Sequence, residues 1–97
     1  MKTEEVANAL SEAFGADLVE VTRHFWDELR ADAFVLADVR CAVGAISQVV
    51  ELGPDRAGNP KFEVTGPAAD GRPLSLICSF KETGAVLLIT VYEGSGP

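Results

Sequence analysis

Apolar residues recur at helical spacing from the start of the chain. Val6, Leu10, Ala13 and Phe14 follow Thr3, a residue type that caps helix N-termini, and Gly15 stops the run. The spacing predicts a first helix over residues 3–15. A second is predicted over residues 16–31, with Leu18, Val21, Phe25 and Leu29 as its apolar stripe and Trp26 beside it. A short third helix is predicted over residues 36–43, where Val39 and Val43 stand four apart. After Gly44 the period changes to two. Ile46, Val50 and Leu52 against Ser47 and Glu51 predict a half-buried strand, and residues 53–60 (GPDRAGNP) read as a loop. Residues 61–65 predict a second strand with Phe62 and Val64 inward. Asp70-Gly71 marks a hairpin turn, and Leu74, Leu76, Cys78 and Phe80 alternate with Ser75 and Ser79 in a third strand. Thr83-Gly84 turns the chain into a fourth strand over residues 86–92, apolar on both faces and so central or covered on both sides.

Helices first and an antiparallel meander after them define an α+β fold, with N-terminal helices packed on one face of a roughly four-stranded antiparallel sheet. The expected organisation is a single domain over residues 1–93, with a helical part (3–44), a sheet part (45–92) and a flexible tail at 94–97. The chain has 97 residues, of which 47% are hydrophobic and 24% charged, an ordinary globular balance. Eight basic against fifteen acidic residues give a net charge of −7, which removes any bulk attraction to nucleic acid or anionic lipid. RNA binding is therefore expected only where a local positive pocket exists. The opening residues, MKTEEVANALSEAF, carry acids where a secretory signal needs a basic start. The apolar runs near residues 33–37 and 85–89 fall far short of the roughly 20 residues of a membrane helix, so a cytoplasmic protein without membrane contact is expected. Cys41 and Cys78 are expected to be reduced, buried small hydrophobes. Without CxxC pairs or Cys/His clusters, neither a metal site nor a cofactor is expected.

His24 is the only histidine, so imidazole proton chemistry must use it. On the predicted second helix it shares a stripe with Glu20, Glu28 and Asp32, spaced by four. Arg72 opens the third strand and Lys81 closes it; Thr90 and Tyr92 are expected to share a face of the fourth strand with Val86 and Leu88. A cation, two hydroxyls and a histidine converging on a sheet would suit phosphodiester cleavage, with His24 moving protons and Arg72 steadying phosphate charge. The binding candidates are Glu20, Glu28, Asp32 and Lys81. No GxxxxGK[ST], GxGxxG, HExxH or GxSxG occurs, which leaves triphosphate hydrolysis, dinucleotide binding, zinc proteolysis and α/β-hydrolase chemistry without support.

His24, Asp38-Val39, Gly66, Asp70-Gly71-Arg72, Leu74 and Ile89-Thr90-Val91-Tyr92 together resemble the small bacterial family called domain of unknown function 4258, associated with RelE-like and BrnT-like toxin folds. The resemblance implies a RelE-like helix-plus-sheet fold and an RNA-cleaving toxin or a relative of one. Where the family pattern carries arginines four and eight residues after its histidine, this chain has Glu28 and Asp32. Two anions in place of two cations would repel a phosphate at His24.

The sequence therefore supports a non-catalytic protein-interaction module of this fold. The alternative is an endoribonuclease toxin of a type II toxin–antitoxin system acting through His24, Arg72, Thr90 and Tyr92. Up to Ala33 the chain has three basic residues (Lys2, Arg23, Arg30) and eight acidic ones (Glu4, Glu5, Glu12, Asp17, Glu20, Asp27, Glu28, Asp32), a balance of 3 − 8 = −5 suited to a basic protein partner. A homodimer is expected if the helices cover only one face of the fourth strand.

Overall fold

The computed structural model describes residues 2–94. Among these residues, three helices and five strands follow one another as α1 (Thr3–Gly15), β1 (Val19–Val21), α2 (Arg23–Ala31), α3 (Leu36–Gly44), β2 (Gln48–Leu52), β3 (Lys61–Pro67), β4 (Pro73–Phe80) and β5 (Val86–Glu93). Helix α1 buries Val6, Leu10 and Ala13 as its spacing requires. Its N-cap is Lys2 rather than Thr3, and the Glu5 carboxylate accepts the Lys2 backbone N–H at 3.3 Å. The helix ends in a Schellman motif. Asp17 takes a left-handed backbone (φ 59°), the Leu18 N–H donates to Ala13 O at 2.8 Å, and the Asp17 N–H to Phe14 O at 3.3 Å.

The predicted second helix is replaced in its first half by a strand. Val19, Val21 and Thr22 are β-branched, and the reversal at Asp17 points them at the last strand, where Val19, Glu20 and Val21 pair in parallel with Val86, Leu87 and Leu88. Helix α2 starts only after Thr22, whose Oγ1 accepts the Phe25 N–H at 3.0 Å and donates to Ile89 O at 3.0 Å. Helix α2 also ends in a Schellman motif, with Ala33 left-handed (φ 56°) and the Phe34 and Ala33 N–H groups on Leu29 O and Arg30 O.

The strands form one mixed sheet in the order β1-β5-β4-β3-β2, antiparallel except for the β1–β5 pair. The expected four-stranded antiparallel sheet is thus corrected to five strands, because β1 lies within the stretch read as helix. Strand β5 is an interior strand between β1 and β4, second from the sheet edge. The faces of β5 differ from expectation: Ile77 pairs with Thr90 but Cys78 with Leu88, leaving Ile89 as an extra residue at a bulge. Val86, Leu88 and Val91 consequently face the core, and Thr90 and Tyr92 lie on the opposite face from Val86 and Leu88.

A single apolar cluster joins Val6, Leu10, Phe25, Leu29 and Val39 of the helices to Phe62, Val64, Leu76, Leu88 and Val91 of the sheet. All three helices therefore cover the same face. Helix α3 lies on β3, and Gly66 makes this closeness possible: a Cβ there would stand 2.2 Å from Ala42 O. Asp38 is buried and ties α3 to the β3–β4 connection, accepting the Val35 N–H at 2.8 Å and the Ala69 N–H at 3.0 Å. Cys78 is buried, and burial pushes its thiol up to about 12. Cys41 is exposed, contrary to expectation, because α3 turns Asp38, Val39, Ala42 and Val43 inward and leaves Cys41 on its outer side. Gly94 is anchored, its N–H donating to Pro73 O at 2.9 Å, so the part of the predicted tail at 95–97 lies outside the described residues.

Gly66→Ala is expected to cost about 3 kcal/mol or more in urea unfolding, since the clash is with backbone and α3 must lift from β3. A loss under about 1 kcal/mol would show that the α3–β3 contact yields readily.

Candidate functional site

The residues singled out by the sequence are dispersed, and most are engaged in holding the fold. Arg72 stands just ahead of β4 and clamps the end of α2. Its Nη1 donates at 2.9 Å to Asp32 O, the C-cap carbonyl of α2, and its Nη2 at 3.0 Å to Ala33 O in the turn that follows. Nε meets Asp70 Oδ2 at 2.7 Å, Nη1 also reaches Glu93 Oε1 at 3.2 Å, and the guanidinium lies 4.2 Å from the centre of the Phe34 ring. The backbone N–H and side chain of Arg72 hold the Asp70 carboxyl below its ordinary range. Asp32, at the C-cap of α2, accepts the Glu93 N–H at 2.8 Å and fastens β5 to the same corner.

His24 sits at the other end of α2, exposed, with Nε2 3.7 Å from Glu28 Oε1. Eight residues of helix separate it from Asp32, about 12 Å at 1.5 Å per residue, so the helix holds His24 away from the Arg72 corner. Glu20 lies on β1 and not on the His24 stripe, because the helix begins after it. Its Oε1 accepts from Lys81 Nζ at 2.8 Å, an ion pair between β1 and the end of β4. The expected acidic stripe of Glu20, His24, Glu28 and Asp32 therefore does not exist as one surface.

Thr90 and Tyr92 lie on the sheet face away from the helices. The Tyr92 hydroxyl donates to the Glu63 carboxylate in the neighbouring cross-strand row, and Thr65 and Ser75, in the same row as Tyr92, share a hydrogen bond of 2.7 Å. Burial and then the bond to Glu63 push the Tyr92 phenol up to about 12. The loop between β2 and β3 is built by Asp55, which accepts the N–H groups of Ala57 at 2.9 Å and Asn59 at 2.8 Å and the Asn59 amide at 3.3 Å. These bonds, that of the Asn59 N–H first, hold the Asp55 carboxyl below its usual range. The Ser79 hydroxyl is close by but outside hydrogen-bonding geometry, and it is buried without a partner.

Between this loop and Thr22 lies a groove of about 410 Å³ with Leu87 and Ile89 at its base and Arg56 and Lys61 on its walls. Neither cation has an ion-pair partner among the described residues. Sequence reasoning missed Arg56 and Lys61. The signal available was their place directly after turn-forming residues, Arg56 after Asp55 and Lys61 after Pro60.

The fold and its corner clamp define a small α+β protein with three helices on one face of a five-stranded sheet. The sequence model described as Domain of unknown function (DUF4258) matches residues 2–93, and the chain belongs to that family. No curated protein and no solved structure matches it. Among the described residues, no helix is long and apolar enough to cross a membrane.

Removing the Arg72 clamp in Arg72→Ala is expected to cost about 2 kcal/mol or more in urea unfolding, through the loss of charge-assisted bonds to two carbonyls. Arg72→Lys should recover less than half of this loss, because an ammonium cannot serve both carbonyls while stacking on Phe34. Full recovery with lysine would show that only the charge matters. Tyr92 is the only tyrosine, so its phenolate absorbance reports this group in the presence of Glu63. Its raised value stabilises the fold in the neutral form; that stabilisation is complete below about pH 10 and is lost as the pH rises through the folded value of about 12. A phenolate midpoint near 12 that Glu63→Gln lowers is the expected result, whereas a midpoint near 10 would mean that the hydroxyl is solvated.

Proposed function

We propose that the protein is a non-catalytic interaction module that takes a basic protein partner on its helical layer. One observation carries the non-catalytic part: Arg72, the cation a phosphodiester reaction would need, already donates to Asp32 O and Ala33 O at the end of α2 opposite His24. The binding part is supported by the exposed carboxylates of Glu4, Glu5, Glu12, Asp17 and Asp27 on and between the helices. Trp26, 41% exposed on α2, adds an aromatic side chain of the kind that dominates protein interfaces. A RelE-like relationship belongs to this reading and is supported by the helix-on-sheet arrangement. A cytoplasmic place of work fits the two free thiols.

The alternative, an endoribonuclease toxin, draws on the Arg56–Lys61 groove as a local positive site. The groove is lined by neither histidine nor tyrosine, so His24 and Tyr92 do not serve it.

Induced expression in bacteria is expected to leave growth unchanged, and the purified protein should leave a labelled RNA intact. Trp26 fluorescence should respond to a lysine-rich helical peptide, and Glu4→Lys, Glu5→Lys and Glu12→Lys together should weaken that response by about tenfold without loss of folding. Growth arrest relieved by His24→Ala would overturn the reading in favour of the nuclease.

A further inference from the structure

On the sheet face opposite the helices, the groove between Thr22 and the β2–β3 loop has the opposite polarity to the rest of the molecule. The protein carries −7, yet here Arg56 and Lys61 stand without carboxylate partners among the described residues. Asp55 is the one acid lining the groove, and its oxygens are committed to the loop's own N–H groups. Leu87 and Ile89, both half-buried, supply the apolar base.

We infer that this groove is a docking site for an extended peptide segment of a partner protein in which acidic residues alternate with large aliphatic ones. An extended segment turns alternate side chains to opposite sides, so its aliphatic residues can cover Leu87 and Ile89 while its carboxylates reach Arg56 and Lys61. The walls are pre-formed: Asp55 fixes the loop on one side and the Thr22 cap fixes the start of α2 on the other, which lowers the ordering cost of binding. The volume of about 410 Å³ lies within the range of sites that bury a ligand of several side chains. A single-stranded RNA fits the cations but not the base, because Leu87 and Ile89 give its rings no aromatic surface to stack on. The inference does not depend on the helical layer being a binding surface.

The test uses the full chain and a fluorescein-labelled nonapeptide of glycine and serine carrying Leu-Glu-Leu-Glu at its centre, read by anisotropy. The same peptide with lysine in place of glutamate and a labelled decauridylate are run beside it. The acidic peptide is expected to bind. Arg56→Glu and Lys61→Glu together should weaken it by about tenfold or more while leaving the thermal midpoint unchanged. Backbone amide shifts on binding should centre on Thr22, Arg56, Lys61, Leu87 and Ile89. Reversing Glu4, Glu5 and Glu12 on α1 should leave this binding intact, which separates its failure from failure of the helical-layer reading. The inference is overturned if the acidic peptide does not bind at millimolar concentration, if the lysine peptide binds equally, or if the oligonucleotide binds more tightly. Sedimentation showing that a second copy of the chain occupies the groove and excludes the peptide would overturn it as well.

Discussion

The corner at Arg72 is the constraint on which the rest of the arrangement depends. Helix α2 ends at the C-cap Asp32 and passes into a left-handed Ala33, and a cation with donors in a planar fork satisfies the carbonyls of both residues at once. The same guanidinium meets Asp70 of the hairpin turn and Glu93 at the end of β5, while Asp32 returns a bond to the Glu93 N–H. Three segments far apart in sequence are thereby fixed at one point. With its C-terminal end held there and its N-terminal cap bonded to Ile89 O, α2 lies along the second half of β5. That placement turns Phe25 and Leu29 into the core and leaves His24 outside.

Much of this was legible in the pattern of apolar positions. Helices α1 and α3 and the antiparallel strands β2 to β5 follow from period and turn residues, because each is a local decision reinforced by burial. Strand β1 was not legible. Leu18, Val21 and Phe25 satisfy a helical spacing as well as Val19 and Val21 satisfy a strand, and the choice is made by a partner strand at the far end of the chain. The two left-handed helix ends fall on Asp17 and Ala33 rather than on glycine, so the usual punctuation was missing. The bulge at Ile89 leaves no mark in an unbroken apolar run, yet it inverts the faces of Thr90 and Tyr92.

The candidate site shows the same limit in chemical form. The side chains that stood out did so correctly as unusual residues, but their partners decide their roles. Arg72 is answered by carbonyls, Glu20 by Lys81, and Tyr92 by Glu63. The Arg56–Lys61 pair did not stand out, because what distinguishes it is the lack of an ion-pair partner in space among the described residues, which the chain order does not reveal. Gly66 and Asp38 are different again. Both were noted as parts of a family pattern, and both have structural work: close approach of α3 to β3, and bonding of α3 to the β3–β4 connection.

The parallel pairing of β1 with β5 also bears on how the molecule comes into being. Thr22 and Ile89 are bonded across a separation of 67 residues, and β5 lies between β1 and β4. On the ribosome, β1 therefore has no strand neighbour until β5 has been made, and α2 has neither its cap bond to Ile89 nor its corner anchor. Helices α1 and α3 can settle on each other and on the β2–β4 meander before β5 exists, whereas β1 and α2, which pack on β5, can dock only when that strand arrives. A nascent chain halted before that strand would present an unpaired central edge, so its net negative charge acts as protection during synthesis.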